Sequence, residues 1–394
     1  MNSRERMAAA MRRGMPDRVP VMCQLALGHY FLHADAAPAD IWFDSRVFAG
    51  VLEEFRRRYG FDGLLVNLPG RPEHWRDWVV SHEADEFGET ITWTCGLKTR
   101  VPADDNLQTF PADCQWLPRA GLEGLDPADD GLLRVPGLVW NTWHAPCLWD
   151  IPDTADLADP ADYPAWFTRA LHAARELAPE ASVHAEVFSP FTHLMELLGY
   201  EQAMTALIDS PEVCSRLLDR FAAVVCAQVE LYADCRPDAV LISSAFAGAG
   251  FISRDMYRAF VLPAETRIVD AVHRRGLPAY VHTCGAIGDR MDLMAESGVD
   301  GIDTLDPPPL GTVDLAWAKE RFGRRFFFKG NLDAVNEMLR ADDEAFEQAV
   351  IRRLEIGKPG GGYILSSACS VAPRVDPARL RRMTELAAEY GRYE

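Results

Sequence analysis

The sequence predicts an α/β protein, a (β/α)8 barrel of the TIM type, and three observations support this prediction. Short β-rich runs alternate with amphipathic helical stretches along the 394 residues, a pattern typical of parallel strands joined by helical crossovers. Eight such runs are found, which is the number that closes this barrel. Polar and metal-ligating side chains follow several of the runs, at the carboxyl ends of strands where sites lie in such barrels.

The eight predicted strands lie near Val19–Gln24, Gly63–Asn67, Ser182–Phe188, Ala239–Ser244, Ala279–Cys284, Gly301–Leu305, Phe326–Gly330 and Tyr363–Ser367. Between them, apolar side chains at helical spacing predict helices such as Pro211–Asp234 and Arg254–Arg275. We find no repeat or linker that requires a second domain, so residues 1–394 are predicted to form one domain.

One segment interrupts the alternation, from about Glu83 to Gly137. It begins with alternating residues at 90–94 and continues as a stretch rich in Pro and Asp, which predicts a hairpin and loop insertion near the barrel mouth. The insertion is a candidate lid. The alternative is that it only covers apolar surface of the barrel.

Composition excludes several classes of protein. The 59 acidic and 40 basic side chains give a net charge of −19, which repels nucleic acid and anionic membrane surfaces. No apolar run approaches the roughly 20 residues of a membrane span, and the first six residues lack the apolar stretch of a secretory signal. Nine scattered cysteines fit reduced thiols. We therefore expect a cytoplasmic protein that acts on a small molecule.

The strongest functional signal is a metal-ligand triad divided between two segments. His282 and Cys284 stand two residues apart on a predicted strand, so their side chains point the same way, and Cys369 follows the last strand. One imidazole and two thiolates are ligands that Zn²⁺ prefers, and three protein ligands leave a fourth position open for substrate. Zinc holds a bound thiol as a nucleophilic thiolate. The alternative interpretation is that these are ordinary core residues, since cysteine is often buried.

Other polar residues near strand ends are weaker candidates. Glu186 and His184 share a face of one strand, and Glu186 is predicted to act as proton acceptor, partner of a metal ligand or fourth ligand. Gln24, His29 and Tyr30 follow the first strand and are predicted to line the substrate pocket.

Further along the chain, Asn331 is a candidate for substrate contact, although it and Asp333 could equally serve helix capping. His193 is expected to cap or pack a helix start. Tryptophans at 75, 78, 140, 143 and 149 could stack on a flat ligand, but packing is the commoner role.

Several motifs resemble those of the uroporphyrinogen decarboxylase superfamily, in order and over nearly the full length. They are Arg18-Val19-Pro20-Val21, Ser189-Pro190-Phe191-Thr192, the run from Ala247 to Ser253, and Lys329-Gly330-Asn331-Leu332-Asp333. The resemblance implies the barrel fold. Within the superfamily, the His282-x-Cys284 pair with the distal Cys369 is similar to the zinc motif of the cobalamin-dependent methyltransferases. That branch moves methyl groups between a corrinoid and a thiol or another carrier.

The sequence departs from the decarboxylases of that superfamily. They carry a stretch of the form Arg-Gln-Ala-Gly-Arg-Tyr that grips the substrate carboxylates, whereas Cys23–Tyr30 contains no arginine. A polyanionic porphyrinogen would have no bidentate partner there. Their acidic residue after the second strand falls on Gly63, beside Asp62.

Two functions follow as expectations. The first is zinc-dependent methyl transfer, with the corrinoid supplied as free cobalamin or by a separate corrinoid protein, since the sequence lacks the Asp-x-His-x-x-Gly loop of corrinoid domains. The second is a zinc-binding lyase, decarboxylase or small-molecule-binding protein without methyl transfer. A purely structural zinc site is a third alternative, and the open coordination position argues against it.

Overall fold

A parallel sheet of seven strands forms the body of the protein in the computed structural model, which describes residues 1–113, 120–134 and 154–393. Its strands are neighbours in the order β1-β6-β7-β8-β9-β10-β11. Their bounds are β1 Gly63–Val66, β6 Ser182–Phe188, β7 Ala239–Ser243, β8 Ala279–His282, β9 Gly301–Thr304, β10 Phe327–Leu332 and β11 Tyr363–Ser367. Seven of the eight predicted strands are therefore confirmed, two with identical ends and five with ends that differ by one or two residues.

The remaining predicted strand, Val19–Gln24, is extended but is not a regular strand. On one side, Val21 and Leu25 form isolated parallel bridges with Leu365 and Val371. On the other side, the Asp62 backbone N–H donates to the Val21 carbonyl at 2.8 Å. The ladder is broken because Pro20 has no N–H and the Val21 N–H donates to the Asp62 carboxylate at 2.9 Å instead. The segment nevertheless occupies the eighth position and closes the barrel.

Helices cover the outside of the barrel, as expected for crossovers between parallel strands. They are α1 Ser3–Met11, α2 Leu27–His33, α3 Pro38–Phe43, α4 Ser45–Tyr59, α5 Arg169–Leu177, α6 Pro190–Leu198, α7 Tyr200–Asp209, α8 Pro211–Asp234, α9 Arg254–Met256, α10 Leu262–Arg274, α11 Met291–Glu296, α12 Leu315–Phe322, α13 Asp343–Gly357 and α14 Pro377–Tyr390. Short 3-10 turns lie at Trp75–Trp78, Asp130–Arg134, Pro160–Asp162 and Ala165–Thr168. No helix among the described residues has the length and apolar character needed to cross a membrane.

One predicted helix, Arg254–Arg275, is divided in the structure. A π-helical turn, Tyr257–Val261, separates α9 from α10. Pro263 lies in the first turn of α10, and its missing N–H cannot bond to the turn before it, which explains the change in helical pitch. A second π turn lies at Asn336–Arg340.

The predicted insertion contains a second sheet. Strands β2 Val79–Asp85, β3 Gly88–Trp93, β4 Leu97–Pro102 and β5 Gln108–Pro111 form an antiparallel meander. It begins four residues before the expected Glu83, and parts of its loop region lie outside the described residues. Glu89 in β3 accepts the backbone N–H of Ala39 in α3 at 2.9 Å. A Cβ on Gly28 in α2 would lie 2.0 Å from the Asp104 carbonyl oxygen, so the sheet also packs tightly on the segment that follows the first barrel strand.

The barrel interior is layered. Its lower layer is an apolar cluster formed by one side chain from most strands and closed from below by helix α1. The members are Met7, Ala10 and Met11 of α1, with Met22, Leu65, Ala239, Leu241, Tyr280, Phe327 and Ile364. Two residues further along six of these strands the side chains are polar, and they point the same way because strand residues alternate. These six are Gln24, Asn67, Ser243, His282, Lys329 and Ser366. The floor of the barrel is therefore apolar and its upper chamber is polar.

Candidate metal centre

The site is built on a row of paired residues on three neighbouring strands. His282 in β8 is directly opposite Asp303 in β9, and Asp303 is directly opposite Lys329 in β10. All three side chains are buried. Because paired residues of adjacent strands lie at one height and on one face, the register alone places an imidazole, a carboxylate and an ammonium group side by side in the upper chamber.

The predicted triad is brought together. Cys284 follows β8 and its sulfur lies 3.4 Å from Nε2 of His282. Cys369 follows β11, and its sulfur lies 3.7 Å from that of Cys284. The three ligand atoms all lie within 4.8 Å of one another, which allows them to hold one metal ion. A set of one nitrogen and two sulfur donors suits a tetrahedral Zn²⁺ and leaves one position open.

The other nitrogen of His282 is engaged by the carboxylate of the next strand. Nδ1 lies 3.1 Å from Oδ2 of Asp303, and the Lys329 ammonium donates to Oδ1 of Asp303 at 2.8 Å. Burial alone would raise the pKa of Asp303, but the charge of Lys329 and the hydrogen bond with His282 lower that pKa to about 2. Asp303 is thus a charged acceptor, which fixes the proton of His282 on Nδ1 and leaves Nε2 facing the two sulfurs.

The two thiols are coupled to each other. A hydrogen bond from the Cys284 thiol lowers the pKa of Cys369, with further help from His282, while the same bond raises the pKa of Cys284. One thiolate is therefore favoured even without a metal.

A backbone N–H also orders the loop after Cys284, since Gly285 donates to Oδ2 of Asp306 at 2.6 Å. Burial raises the pKa of Asp306 to about 6.

Glu186 faces the same chamber from β6. Its Oε1 accepts a short hydrogen bond from the hydroxyl of Ser243, the residue directly opposite His282 in β7. Burial raises the pKa of Glu186 to about 7, although the Ser243 bond partly opposes that rise. A carboxyl group with this pKa can take up or release a proton near neutral pH. Glu186 is not one of the three clustered ligand atoms, so its predicted place as a neighbour of the ligands fits better than that of a fourth ligand.

Of the four predicted substrate-contacting residues, only Gln24 has a free group in the chamber. Its Oε1 is buried and has no hydrogen-bond partner within the described residues. The oxygen of Asn67 and the hydroxyl of Ser366, on the two flanking strands, are in the same condition. These three side chains form a polar wall that is available to a ligand.

The structure places His29 and Tyr30, two of the residues predicted to contact a substrate, in packing of their own. His29 is fully buried, its ring nitrogens lie 2.8 Å from the Tyr59 hydroxyl and 3.1 Å from the Pro373 carbonyl, and burial lowers its pKa to about 4. The ring of Tyr30 packs on Phe55. Both lie on helix α2, which turns these side chains toward α4 and away from the chamber.

Asn331 is also occupied by structural bonds. Its amide nitrogen donates to the Leu305 carbonyl at 2.9 Å, and its oxygen accepts from Arg353 at 3.2 Å. Asp333 accepts the backbone N–H groups of Val335 and Asn336, which is a turn-capping role. Both residues brace the chain that leaves β10.

The remaining candidates serve mainly in packing. The His184 ring lies 2.7 Å from the Tyr280 hydroxyl, deep in the barrel. His193 is buried in helix α6, and burial lowers its pKa to about 3. Trp75 is buried among Phe43 and Trp93, and Trp78 packs against the main core. The tryptophans at 140, 143 and 149 lie outside the described residues.

Asp303, Lys329 and Ser243 are among the site residues that the sequence analysis missed, as are Asn67, Asp306 and Ser366. One signal was available, because charged side chains seldom stand within apolar strands unless they are paired. Asp303 and Lys329 each lie at an inward position of a predicted strand. Their pairing could be recognised only once the register between β9 and β10 was known.

A family model and the curated relatives agree on one family. A family model described as uroporphyrinogen decarboxylase (URO-D) matches residues 143–390, which is more than half of the chain. A uroporphyrinogen decarboxylase from Alkalilimnicola ehrlichii is 29% identical, and the match covers 97% of this chain and 92% of the relative. A second, from Cellvibrio japonicus, is 31% identical over 48% of this chain and 53% of its own length.

A solved structure shows the same fold over the whole chain. A methyltransferase from Methanosarcina mazei has a TM-score of 0.67 and 16% sequence identity, and the match covers 99% of both chains. At this identity the likeness concerns the fold alone. The family model and the full-length curated relative, together with the barrel itself, show that this chain belongs to the uroporphyrinogen decarboxylase (URO-D) family.

Proposed function

We propose that this protein is a zinc-dependent methyltransferase that moves a methyl group between a corrinoid and a thiol or another small substrate. The observation that carries the proposal is the triad, in which His282, Cys284 and Cys369 place three soft ligand atoms within 4.8 Å of one another. Structural zinc sites use four protein ligands, whereas sites that bind substrate use three.

The residues of the chain would hold the metal in a defined way. His282 would bind through Nε2 because Asp303 engages Nδ1, and both cysteines would bind as thiolates. Zinc bound there would supply a Lewis acid that keeps a substrate sulfur deprotonated near neutral pH. Thiolate is the form of sulfur that can attack a methyl group.

Other residues of the chamber have supporting roles in this proposal. Glu186, whose pKa is raised to about 7 by burial, takes the proton that a substrate thiol must lose. The amide oxygen of Gln24 and its neighbours on the polar wall orient the substrate by hydrogen bonds. The corrinoid comes either as methylcobalamin or on a separate corrinoid protein, and it approaches from the barrel mouth, where the three ligands lie.

The names of the relatives raise the alternative of decarboxylation. Against porphyrinogen decarboxylation, no arginine stands in Cys23–Tyr30, and His29 and Tyr30 of this stretch point into packing. The wall formed by Gln24, Asn67 and Ser366 offers no guanidinium for a bidentate bond to a carboxylate. A zinc lyase acting on a small thiol or acid stays as the second function, because the same triad would serve it.

The test is a methyl-transfer assay. Zinc-loaded protein is mixed with methylcobalamin and each of a panel of thiols, and the corrinoid absorbance is followed. Metal-depleted protein and Cys369→Ala are the controls, and uroporphyrinogen is offered in parallel. We expect demethylation of methylcobalamin that needs both metal and Cys369. Formation of coproporphyrinogen at enzymatic rates would overturn the proposal, and failure with every thiol would favour the lyase.

A further inference from the structure

The upper chamber contains more negative charge than a metal with two thiolate ligands requires. Two thiolates neutralise a divalent ion formally, and the neutral imidazole of His282 adds nothing. The carboxylates of Asp303 and Asp306 lie directly beside this centre, since Asp303 contacts His282 and Asp306 accepts the N–H of Gly285, next to Cys284. A substrate that binds as an anion must enter against this field.

Lys329 is the cationic side chain in the same row. It is 2% exposed, and its ammonium group lies 2.8 Å from Oδ1 of Asp303. Burying an ammonium costs several kcal/mol unless it is paired, and Asp303 is its partner here, but this pairing does not explain why the side chain at position 329 carries a charge. Fixing the position of Asp303 does not by itself require a charge, because the amide of a glutamine at position 329 could donate the same hydrogen bond.

We propose that Lys329 is a positioning residue that selects an anionic fourth ligand for the metal. By cancelling the charge of Asp303, it lets this carboxylate orient His282 without making the metal centre negative. The inference rests on the proposed function and adds to it a substrate class: ligands that bind the metal as anions, such as thiolates, rather than neutral thioethers or amines.

Lys329 could either support the fold or balance charge, and the two roles predict different changes in ligand affinity when the side chain is replaced. If Lys329 only supported the fold, its loss would lower the affinity of the metal for anionic and neutral ligands alike. If Lys329 balances charge, its loss leaves the carboxylate of Asp303 without a counter-charge. The metal should then bind an anionic ligand more weakly and a neutral ligand with unchanged affinity. The affinity of the protein for the divalent metal should be unchanged or higher. At an effective dielectric constant near 20, one unit charge roughly 12 Å away changes the affinity of an anion by about tenfold, and a nearer charge changes it by more.

The experiment uses cobalt-substituted full-length protein, whose visible spectrum reports binding at the metal. Azide serves as the anionic probe and imidazole as the neutral probe, both at pH 8, and metal affinity is measured by competition with a chelator. Lys329→Gln removes the charge and Lys329→Arg keeps it. Lys319→Gln is the control, because Lys319 is a partly buried lysine that donates to the Gly361 carbonyl, away from the triad.

We expect Lys329→Gln to lower the ratio of azide to imidazole affinity by at least about tenfold, with metal affinity unchanged or higher, while Lys329→Arg and Lys319→Gln leave the ratio near the wild-type value. Should Lys329→Gln fold poorly, Asp303→Asn/Lys329→Gln removes both charges, and its ratio should return toward the wild-type value. Equal weakening of both probes, or an unchanged ratio, would overturn the inference. The proposed function fails separately, if the wild-type protein binds azide at the metal but no thiol, and both fail if it takes up no metal.

Discussion

Nδ1 of His282 lies 3.1 Å from Oδ2 of Asp303, the residue directly opposite it on the neighbouring strand. The pair follows from strand register, since two inward-facing residues at one height must meet. It decides which nitrogen of the imidazole is available to a metal. Asp303 should therefore matter for metal binding although it is not a ligand.

The Asp303 pair can be tested by Asp303→Asn. We expect zinc affinity to fall by about 10-fold to 100-fold, because the oriented carboxylate that fixes the tautomer of His282 is lost. Chelator competition measures the affinity. Asp300→Asn is a matched control, since Asp300 pairs with His273 at 2.8 Å on the protein surface. Equal metal loss in the two variants would contradict a specific role for Asp303.

The triad itself predicts the metal content of cysteine variants. Wild-type protein should contain close to one zinc per chain, and Cys284→Ser and Cys369→Ser should each lose it, because a hydroxyl is not ionised at neutral pH. Elemental analysis after dialysis measures the content. Cys226→Ser is the control, since Cys226 is also a half-buried free thiol but donates toward the Arg267 carbonyl. Full zinc retention in both triad variants would refute the ligand assignment.

Glu186 should give the metal-free protein a pH-dependent stability. The pKa of Glu186 is raised to about 7 in the folded state, above its ordinary value of 4.5, so the folded state binds the proton more tightly. Its contribution to stability is full below pH 4.5 and is lost as the pH rises toward 7, on the order of 3 kcal/mol in all. Thermal unfolding between pH 4 and 8 should show this decline, and Glu186→Gln should reduce it to the part contributed by Asp306, whose pKa is raised to about 6. A variant with the same decline as the wild type would remove Glu186 as its source.

The packing of the insertion on helix α2 gives a further prediction. Gly28→Ala should destabilise the protein by about 1–3 kcal/mol, because the new Cβ would lie 2.0 Å from the Asp104 carbonyl oxygen. Gly50→Ala is the control, since nothing lies within 4 Å of its added Cβ and alanine favours a helix over glycine. Denaturant unfolding compares the two variants. If Gly28→Ala were as stable as Gly50→Ala, the insertion would not pack on α2 in this way.

The sequence predicted most of the barrel because alternation of strands and helices is a local pattern. Residues 19–24 do not form the regular strand that was predicted, because the Val21 N–H donates to the carboxylate of Asp62, which is distant in sequence. No local sequence pattern carries that information. The triad could be predicted because the carboxyl ends of parallel strands lie at the same end of a barrel.

Where a single polar side chain points is also set by distant contacts, so the sequence carries less information about it. His29 and Tyr30 follow a strand, but a helix begins at Leu27 and turns them toward helix α4. Asp303 and Lys329 were overlooked because a carboxylate and an ammonium 26 positions apart reveal their pairing only through register. Contacts between side chains on different strands can be identified only from the structure, and so can the chemistry that depends on them.

The central claim is that three protein ligands hold zinc and leave one position for a substrate sulfur. X-ray absorption at the zinc edge tests it most directly, on wild-type protein with and without a thiol that is active in the methyl-transfer assay or, if none is active, with 2-mercaptoethanol. We predict two sulfur ligands and one imidazole nitrogen in the free protein, with a light oxygen or nitrogen atom in the fourth position. On addition of the thiol, that light atom should be replaced by a third sulfur. A coordination shell of four protein ligands that does not change with thiol would contradict the account.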